Sequence, residues 1–416
     1  MTVLAAVLAA ALAAPAAPID AAPPGAPAKE PATAAAVAIP AQGPEGLRAL
    51  FERELPSLEK RSFRTATGIT GQVEAAAAPG IERSGETSLL TIPLGTGEPL
   101  RCTFFPSRVD VGATLWRVAE GARTRTKLIA VQPVDVVAVD GSALVLAMLV
   151  YQVEGQSGPL AGLVKVAVFA HHTRSLLCLH DEPGYVASFG RIVKGLVGSL
   201  AGGGADERSG AKFRELSVFR IGGVAVGYGE RDLYRGEHGA HLSEEYSAQI
   251  LPRGGGDFIA MDGVSRQQSD RDDLLERATF VDVTNGELAA RIALQRGEDG
   301  RTFRYDGEKD GKALQGTFTT KAGLSTDLWF ARRFASSAPA PKGDVRHEHY
   351  SFTANPVAAT PVVQRLEASG PRRSSMELGA LQVTGELDAH GTFEKAEMPI
   401  GPTKLVIERV WSRGAP

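Results

Sequence analysis

Residues 287–295 read ELAARIALQ, in which Leu288, Ala290, Ile292 and Leu294 alternate with Glu287, Ala289, Arg291, Ala293 and Gln295. Successive side chains of a strand point to opposite faces, so this segment is a strand with one apolar and one mainly polar side. The same rhythm recurs outward from it. Leu242, Glu244, Tyr246, Ala248 and Ile250 alternate with Ser243, Glu245, Ser247 and Gln249, and further short strands are legible at 213–221, 278–284, 314–319, 328–334, 347–353, 378–387 and 403–411. Asp262-Gly263, Asn285-Gly286, Asp299-Gly300, Asp306-Gly307 and Asp310-Gly311 offer hairpin or bulge residues between them. A sheet of that many strands must curl to keep its apolar face dry, so 211–416 is expected to form a large antiparallel β-meander curled into a half-barrel or barrel.

The preceding part mixes helix and strand. Residues 128–139, 143–153 and 161–169 are β-branched and almost continuously apolar, the pattern of strands covered on both faces. Asp140-Gly141 supplies a tight turn between the first two, which makes that pairing antiparallel. Helices are expected at 45–55, where Leu47, Leu50, Phe51 and Leu55 recur before Pro56, and at 184–200, where Tyr185, Phe189, Ile192, Val193, Leu196 and Leu200 share a face. Helices must then cover the sheet on both sides. The chain reads as α+β: an antiparallel α/β sandwich domain over 45–201, a Gly-rich linker at 202–210, and the β-rich domain over 211–416.

Residues 3–14 (VLAAVLAAALAA) are an uncharged apolar run of the length of a secretory h-region and too short to span the ~30 Å bilayer core. Residues 1–22 are therefore expected to be a signal peptide, although no Lys or Arg precedes the run; an Ala-rich tail is the alternative. Residues 23–44, rich in Ala and Pro, read as a disordered spacer. Export to the periplasm or beyond suits the two cysteines, Cys102 and Cys178, which are expected to form one bridge, two buried thiols being the alternative. Forty-five Lys and Arg against 48 Asp and Glu leave a net charge of −3, with no basic patch and 6% aromatics, which argues against nucleic acid as a partner. No later apolar run approaches the length of a membrane helix.

The stretch from Leu100 to Ser199, with its two cysteines, the YQVEG and GLVKVAVF strands and the helix after CLHDEPGY, resembles the PsbP-like sandwich of exported proteins. The second half, with RIGGVAVGYGE near its start and a meander broken by Asp-Gly turns, resembles envelope β-sheet domains of the LolA and LolB type. That resemblance implies a curved sheet around an acyl-binding hollow; SSAPAPKGD at 336–344 departs from so compact a carrier.

Chemistry-bearing motifs are scarce. His171, His172, His180, Asp181 and Glu182 crowd the AHHTRSLLCLHDE segment, but adjacent histidines in a strand face opposite ways, and the acidic pair reads better as complementing the start of the 184–200 helix. His347 and His349 share a strand face without a third ligand, and Tyr350 and Phe352 are expected to take the core side and leave both histidines in solvent. No metal site, cofactor or nucleophile-and-base pair is legible. Glu244 and Arg332 each interrupt an apolar row and either line the mouth of a hollow or extend into water. The candidate ligand-binding set is Leu242, Glu244, Tyr246, Leu288, Ile292, Leu294 and Arg332. The leading expectation is a non-enzymatic envelope protein that binds a lipid or acylated partner on a curved sheet. The alternatives are an assembly factor that binds another envelope protein and has a filled core, and a hydrolase with dispersed residues.

Overall fold

Continuously apolar strands need cover on two faces, and the way this chain finds the second cover decides its architecture. The computed structural model describes residues 37–38, 52–155, 158–204, 207–352, 355–367 and 372–416. The expected leader 1–22, most of 23–44 and residues 45–51 of the expected first helix lie outside these; the described part of that helix, 52–55, is not helical.

The first half carries β1 (Val37–Ala38), β2 (Glu59–Arg64), β3 (Thr70–Ala75), β4 (Gly80–Ser84), β5 (Thr87–Ile92) and β6 (Leu100–Phe105). Helix α1 (Val111–Arg123) follows, then β7 (Lys127–Val131), β8 (Asp135–Val139), β9 (Ser142–Gly155), β10 (Gly158–Phe169), β11 (Ser175–Asp181) and helix α2 (Val186–Gly198). Nine of these strands form one antiparallel sheet in the order β4-β5-β6-β11-β10-β9-β7, with β1 on β10 and β8 on β9, while β2 and β3 form a separate hairpin. One face of the sheet packs on α2 and the hairpin, through Cys102, Leu144, Phe169 and Cys178 against Val73, Phe189, Ile192 and Leu196. Cys102 and Cys178 are direct partners on β6 and β11 and are joined by a disulfide.

The second half supplies β12 (Phe213–Ile221), β13 (Val224–Arg235), β14 (His241–Pro252), β15 (Phe258–Ser269), β16 (Leu275–Thr284), β17 (Glu287–Arg296), β18 (Thr302–Lys309) and β19 (Lys312–Thr319). Helix α3 (Asp327–Phe334) precedes β20 (Val345–His349), β21 (Thr360–Leu366), β22 (Arg373–Leu378), β23 (Leu381–Leu387), β24 (Phe393–Ile400) and β25 (Thr403–Gly414). All fourteen strands join one sheet, β19 to β12 followed by β25 to β20, so the last strand returns to pair with β12 and two meandering runs meet there. Its edges, β19 and β20, do not pair. Ser325 instead bridges Leu274, just before β16, on one side and His349, at the end of β20, on the other.

The α+β expectation is thereby overturned: the described chain is mostly strand with three α-helices, and no α/β sandwich followed by a single meander exists. The reason lies in the second cover. Val145, Val166 and Val168 of the first sheet pack on Leu216, Val218, Tyr228, Ala248, Ile250 and Ala260 of the second, with α1 beside them, so a sheet takes the place where helices were expected.

Local signals were met unevenly. Asp140-Gly141, Asn285-Gly286 and Asp310-Gly311 have both residues at positive φ between paired strands, as two-residue hairpin turns require. Asp262-Gly263 and Asp306-Gly307 instead lie within β15 and β18. At Gly307 a Cβ would collide with the Arg291 carbonyl oxygen, so the glycine serves close backbone approach rather than a turn. The segment 328–334, read as a strand, is α3: Thr326 Oγ accepts from Trp329 N at 3.3 Å, with Asp327 in the first turn and Arg332 and Arg333 in the last.

Candidate functional site

Strand register sets Glu215 opposite Arg231, and Arg231 opposite Glu245, so three charged side chains form one cross-strand row on the inner face of the large sheet. Arg231 closes on Glu215 at 2.8 Å and on Asp327 of α3 at 3.6 Å. Arg409 of β25 reaches Glu215 at 3.4 Å and Asp388 at 2.9 Å. Glu245 lies beyond ion-pair reach of every described cation and only 6% of it is exposed. Burial holds its carboxyl above the usual range.

This row borders a hollow of about 100 Å3 between β12–β14, α3 and β21–β25. Phe219, Phe330, Met376 and Ile407 make its apolar side; Ser217, Ser247, Glu245 and Gln364 make its polar side. A second chamber of about 30 Å3 shares Arg231, Glu245, Asp327, Ala331 and Thr392 with it and reaches Pro416. Gln364 is buried, and its Nε2 donates to Ser374 Oγ at 2.9 Å. Ser374 Oγ in turn donates to the Arg365 carbonyl, which fixes the amide orientation and leaves Gln364 Oε1 without a hydrogen bond. Gln364 Oε1 is thus an acceptor on the lining of the hollow that no described group satisfies.

The sequence-derived ligand set does not converge here. Register puts Leu242, Glu244 and Tyr246 on the outer face of β14, the side of Gln268, Arg277 and Gln295, whereas Ile292 and Leu294 of β17 lie on the inner face. A parity difference of one residue separates the two groups. Glu244 pairs with Arg266 at 2.9 Å, and Tyr246 lies beneath the Arg108 guanidinium and edge-on to His172. Leu288 is 47% exposed, while Ile292 and Leu294 are core residues packed with Phe280, Tyr350 and Phe352. Arg332 sits on α3 and binds Asp273 at 3.0 Å. An open depression of about 630 Å3 is lined by Leu242, Ala278, Ala293 and Leu294 together with Arg266, Arg277, Arg304 and Asp306.

The histidine-rich segment has become structural bonding. His180 Nε2 is 3.2 Å from the Glu98 carbonyl, and burial, aided by Lys165, pushes its pKa down to about 3. Asp181 accepts from Tyr151 Oη at 2.7 Å and Glu182 from Glu98 N at 3.1 Å, so neither caps α2, whose N-cap is Tyr185. Tyr350 and Phe352 are buried, but His349 is buried as well, with Nδ1 2.8 Å from the Ser325 carbonyl. Among the described residues no three His, Cys, Asp or Glu side chains converge to hold a metal ion, and no helix is long and apolar enough to cross a membrane.

Sequence reasoning missed Glu245 because its strand's polar face was taken as the wet one. The available signal was the charge sequence Glu215, Arg231, Glu245, which becomes a row only once the register is known. No family model matches the chain, so the PsbP-like and LolA/LolB-type resemblances are not shown, and no curated protein matches it. Among solved structures, the chain is similar to a β-barrel-like protein of domain of unknown function DUF1849 from Brucella abortus, with TM-score 0.38 and 11% identity, over 49% of this chain and 97% of that one.

Proposed function

We propose that the protein is a non-enzymatic, exported binding protein of the cell envelope, and that its curved sheet receives a side-chain-sized group of a partner rather than an acyl chain. The observation that carries this reading is the filled inner face. Trp329, Phe330 and Phe334 of α3 pack against Val362, Met376 and Leu405, and Tyr350 and Phe352 occupy the other arm against Phe280 and Ile292. What is left, about 100 Å3, is below the roughly 300 to 1,000 Å3 of a small-molecule pocket and below the roughly 150 Å3 that admits a benzene. Export is supported by the apolar run 3–14 and by a disulfide, which an oxidising compartment preserves.

Native mass spectrometry of the protein isolated from an envelope tests this. The expected result is a mass free of lipid and a melting temperature unmoved by fatty acids from eight to sixteen carbons. A co-purifying acyl chain, or a saturable rise in melting temperature with fatty acid, overturns the reading.

A further inference from the structure

We propose that the outer face of β14–β18 is a self-association surface, on which a second copy of this chain docks about a two-fold axis so that the basic half of each copy meets the acidic half of the other. This face lies on the opposite side of the sheet from the hollow and does not depend on what the hollow takes up. Register builds the basic half. Leu242 of β14 stands opposite Gln268, Gln268 opposite Arg277, Arg277 opposite Gln295 and Gln295 opposite Arg304, a single row running from β14 to β18. The neighbouring row sets the short side chains of Thr279 and Ala293 between Arg266 and Asp306, which floors the open depression of about 630 Å3. Its charged lining is Arg266, Arg277 and Arg304 against Asp306.

The acidic half adjoins it. The β13–β14 and β15–β16 connections lie at one end of the same strands, and there Glu237, Asp270, Asp272 and Glu276 line a second open depression of about 660 Å3 against Arg271. Leu242 and Gln268 line both depressions and so mark the border between the two signs of charge. Pairing within the chain leaves charge on each side uncommitted. Asp270 and Glu276 are bound by Arg296, and Arg266 is bound to Glu244. Arg277 gives its Nε–H to the neutral Gln268 at 2.6 Å, and neither Arg304 nor Glu237 has an ion pair among the described residues. Asp272 has only Arg271, at 4.0 Å, with both side chains mostly exposed.

A surface with opposite charge on either side of one border is complementary to itself. A half-turn about an axis along that border sets Arg277 and Arg304 of one copy over the Glu237 and Asp272 side of the other, and the reverse, while Leu242 meets Leu242 at the centre. The exposed connection carrying Glu237 supplies the projection that the basic depression of the other copy receives. A nucleic acid or an anionic membrane is disfavoured, because the acidic half would face it. A small ligand would be left largely in water, since both depressions are open.

The experiment is sedimentation velocity of the full chain over a range of concentrations at low salt. The wild type is expected to pass from monomer to dimer as concentration rises, and the dimer should weaken in about 1 M salt, where the screening length falls to about 3 Å. The double variant Arg277→Glu, Arg304→Glu makes both halves acidic, and the double variant Glu237→Arg, Asp272→Arg makes both basic. Each should raise the dissociation constant on the order of tenfold or more, because like charges are then juxtaposed. An equimolar mixture of the two should form a dimer with one copy of each. All four positions are exposed, so the reversals should leave the melting temperature near that of the wild type. A wild type that stays monomeric at every concentration, a dimer indifferent to both reversals, or a mixture that stays monomeric overturns the proposal.

Discussion

Arg208 and Glu230 are both fully withdrawn from water and meet at 3.1 Å where the two sheets join. Arg208 also binds Asp232 at 2.5 Å, Ser142 Oγ at 2.9 Å and the Gly141 carbonyl at 3.1 Å. Glu230 takes Arg108 at 2.9 Å and Ala143 N at 2.7 Å. Burial opposes the charge on Glu230, but Arg108 and Arg208 outweigh it and hold the carboxyl below its ordinary range. A residue from the stretch expected to be a Gly-rich linker thus ties the β8–β9 turn to β13.

Removing one member of such a buried pair strands the other. Arg208→Ala should cost about 3–5 kcal/mol. Because the two sheets share an apolar core, the loss should appear in guanidinium denaturation as one transition moved to lower denaturant. Two separated transitions in the wild type would show that the sheets fold independently.

Asp262 of β15 accepts from Gly112 N and Ala113 N, each at 2.7 Å, and so caps α1 across the junction. Burial, with Asp110 nearby, pushes its carboxyl up to about 7, against the two N–H donors and Arg108. Its unfolded value is about 3.9. Between those values the native state keeps a proton that the unfolded state has lost, so the contribution is fully present below about pH 4 and is lost as pH rises through about 7. Denaturation of wild type and Asp262→Asn across pH 4 to 8 should show the wild-type advantage shrinking with pH. An advantage that grows instead would mean that the two amide donors keep the carboxylate ionised.

The Cys102–Cys178 bridge closes a separation of 76 residues, for which the chain-entropy model gives about 4 kcal/mol as an upper figure. The double variant Cys102→Ser, Cys178→Ser should lose a comparable amount in equilibrium denaturation. The oxidised wild type should approach the variant's stability once reductant is added, and indifference to reductant would refute the bridge's contribution.

Phe330 fills the hollow from α3 and packs in the cluster with Trp329 and Met376. Phe330→Ala should cost about 3–5 kcal/mol through lost burial and the space left behind. A loss under 1 kcal/mol in the same assay would mean that the helix does not plug the sheet.

How much of this was legible in the sequence follows from what strand periodicity can carry. The strand 213–221 was read to the residue, and the helix face from Tyr185 to Leu200 was read correctly because six apolar positions at helical spacing are all buried. Periodicity says which residues share a face but not which face is inside. On β14 the outer side meets the first sheet at Ala248 and Ile250, and the inner side meets α3, so both are covered and the polar row His241, Glu245, Ser247 and Gln249 is buried. Alternation of Phe330, Arg332 and Phe334 imitated a strand, although Thr326 and Asp327 were a helix start available to be read. Long-range facts, such as the return of β25 to β12 and the pairing of Arg208 with Glu230, leave no local trace.

The sharpest test of a sheet filled by its own side chains is the fluorescence of N-phenyl-1-naphthylamine, an apolar dye that brightens in acyl-sized cavities. Wild-type protein should leave its emission at the buffer level, while Phe330→Ala raises it. Strong emission with the wild type, displaced stoichiometrically by palmitate, would contradict a filled inner face and restore the acyl carrier.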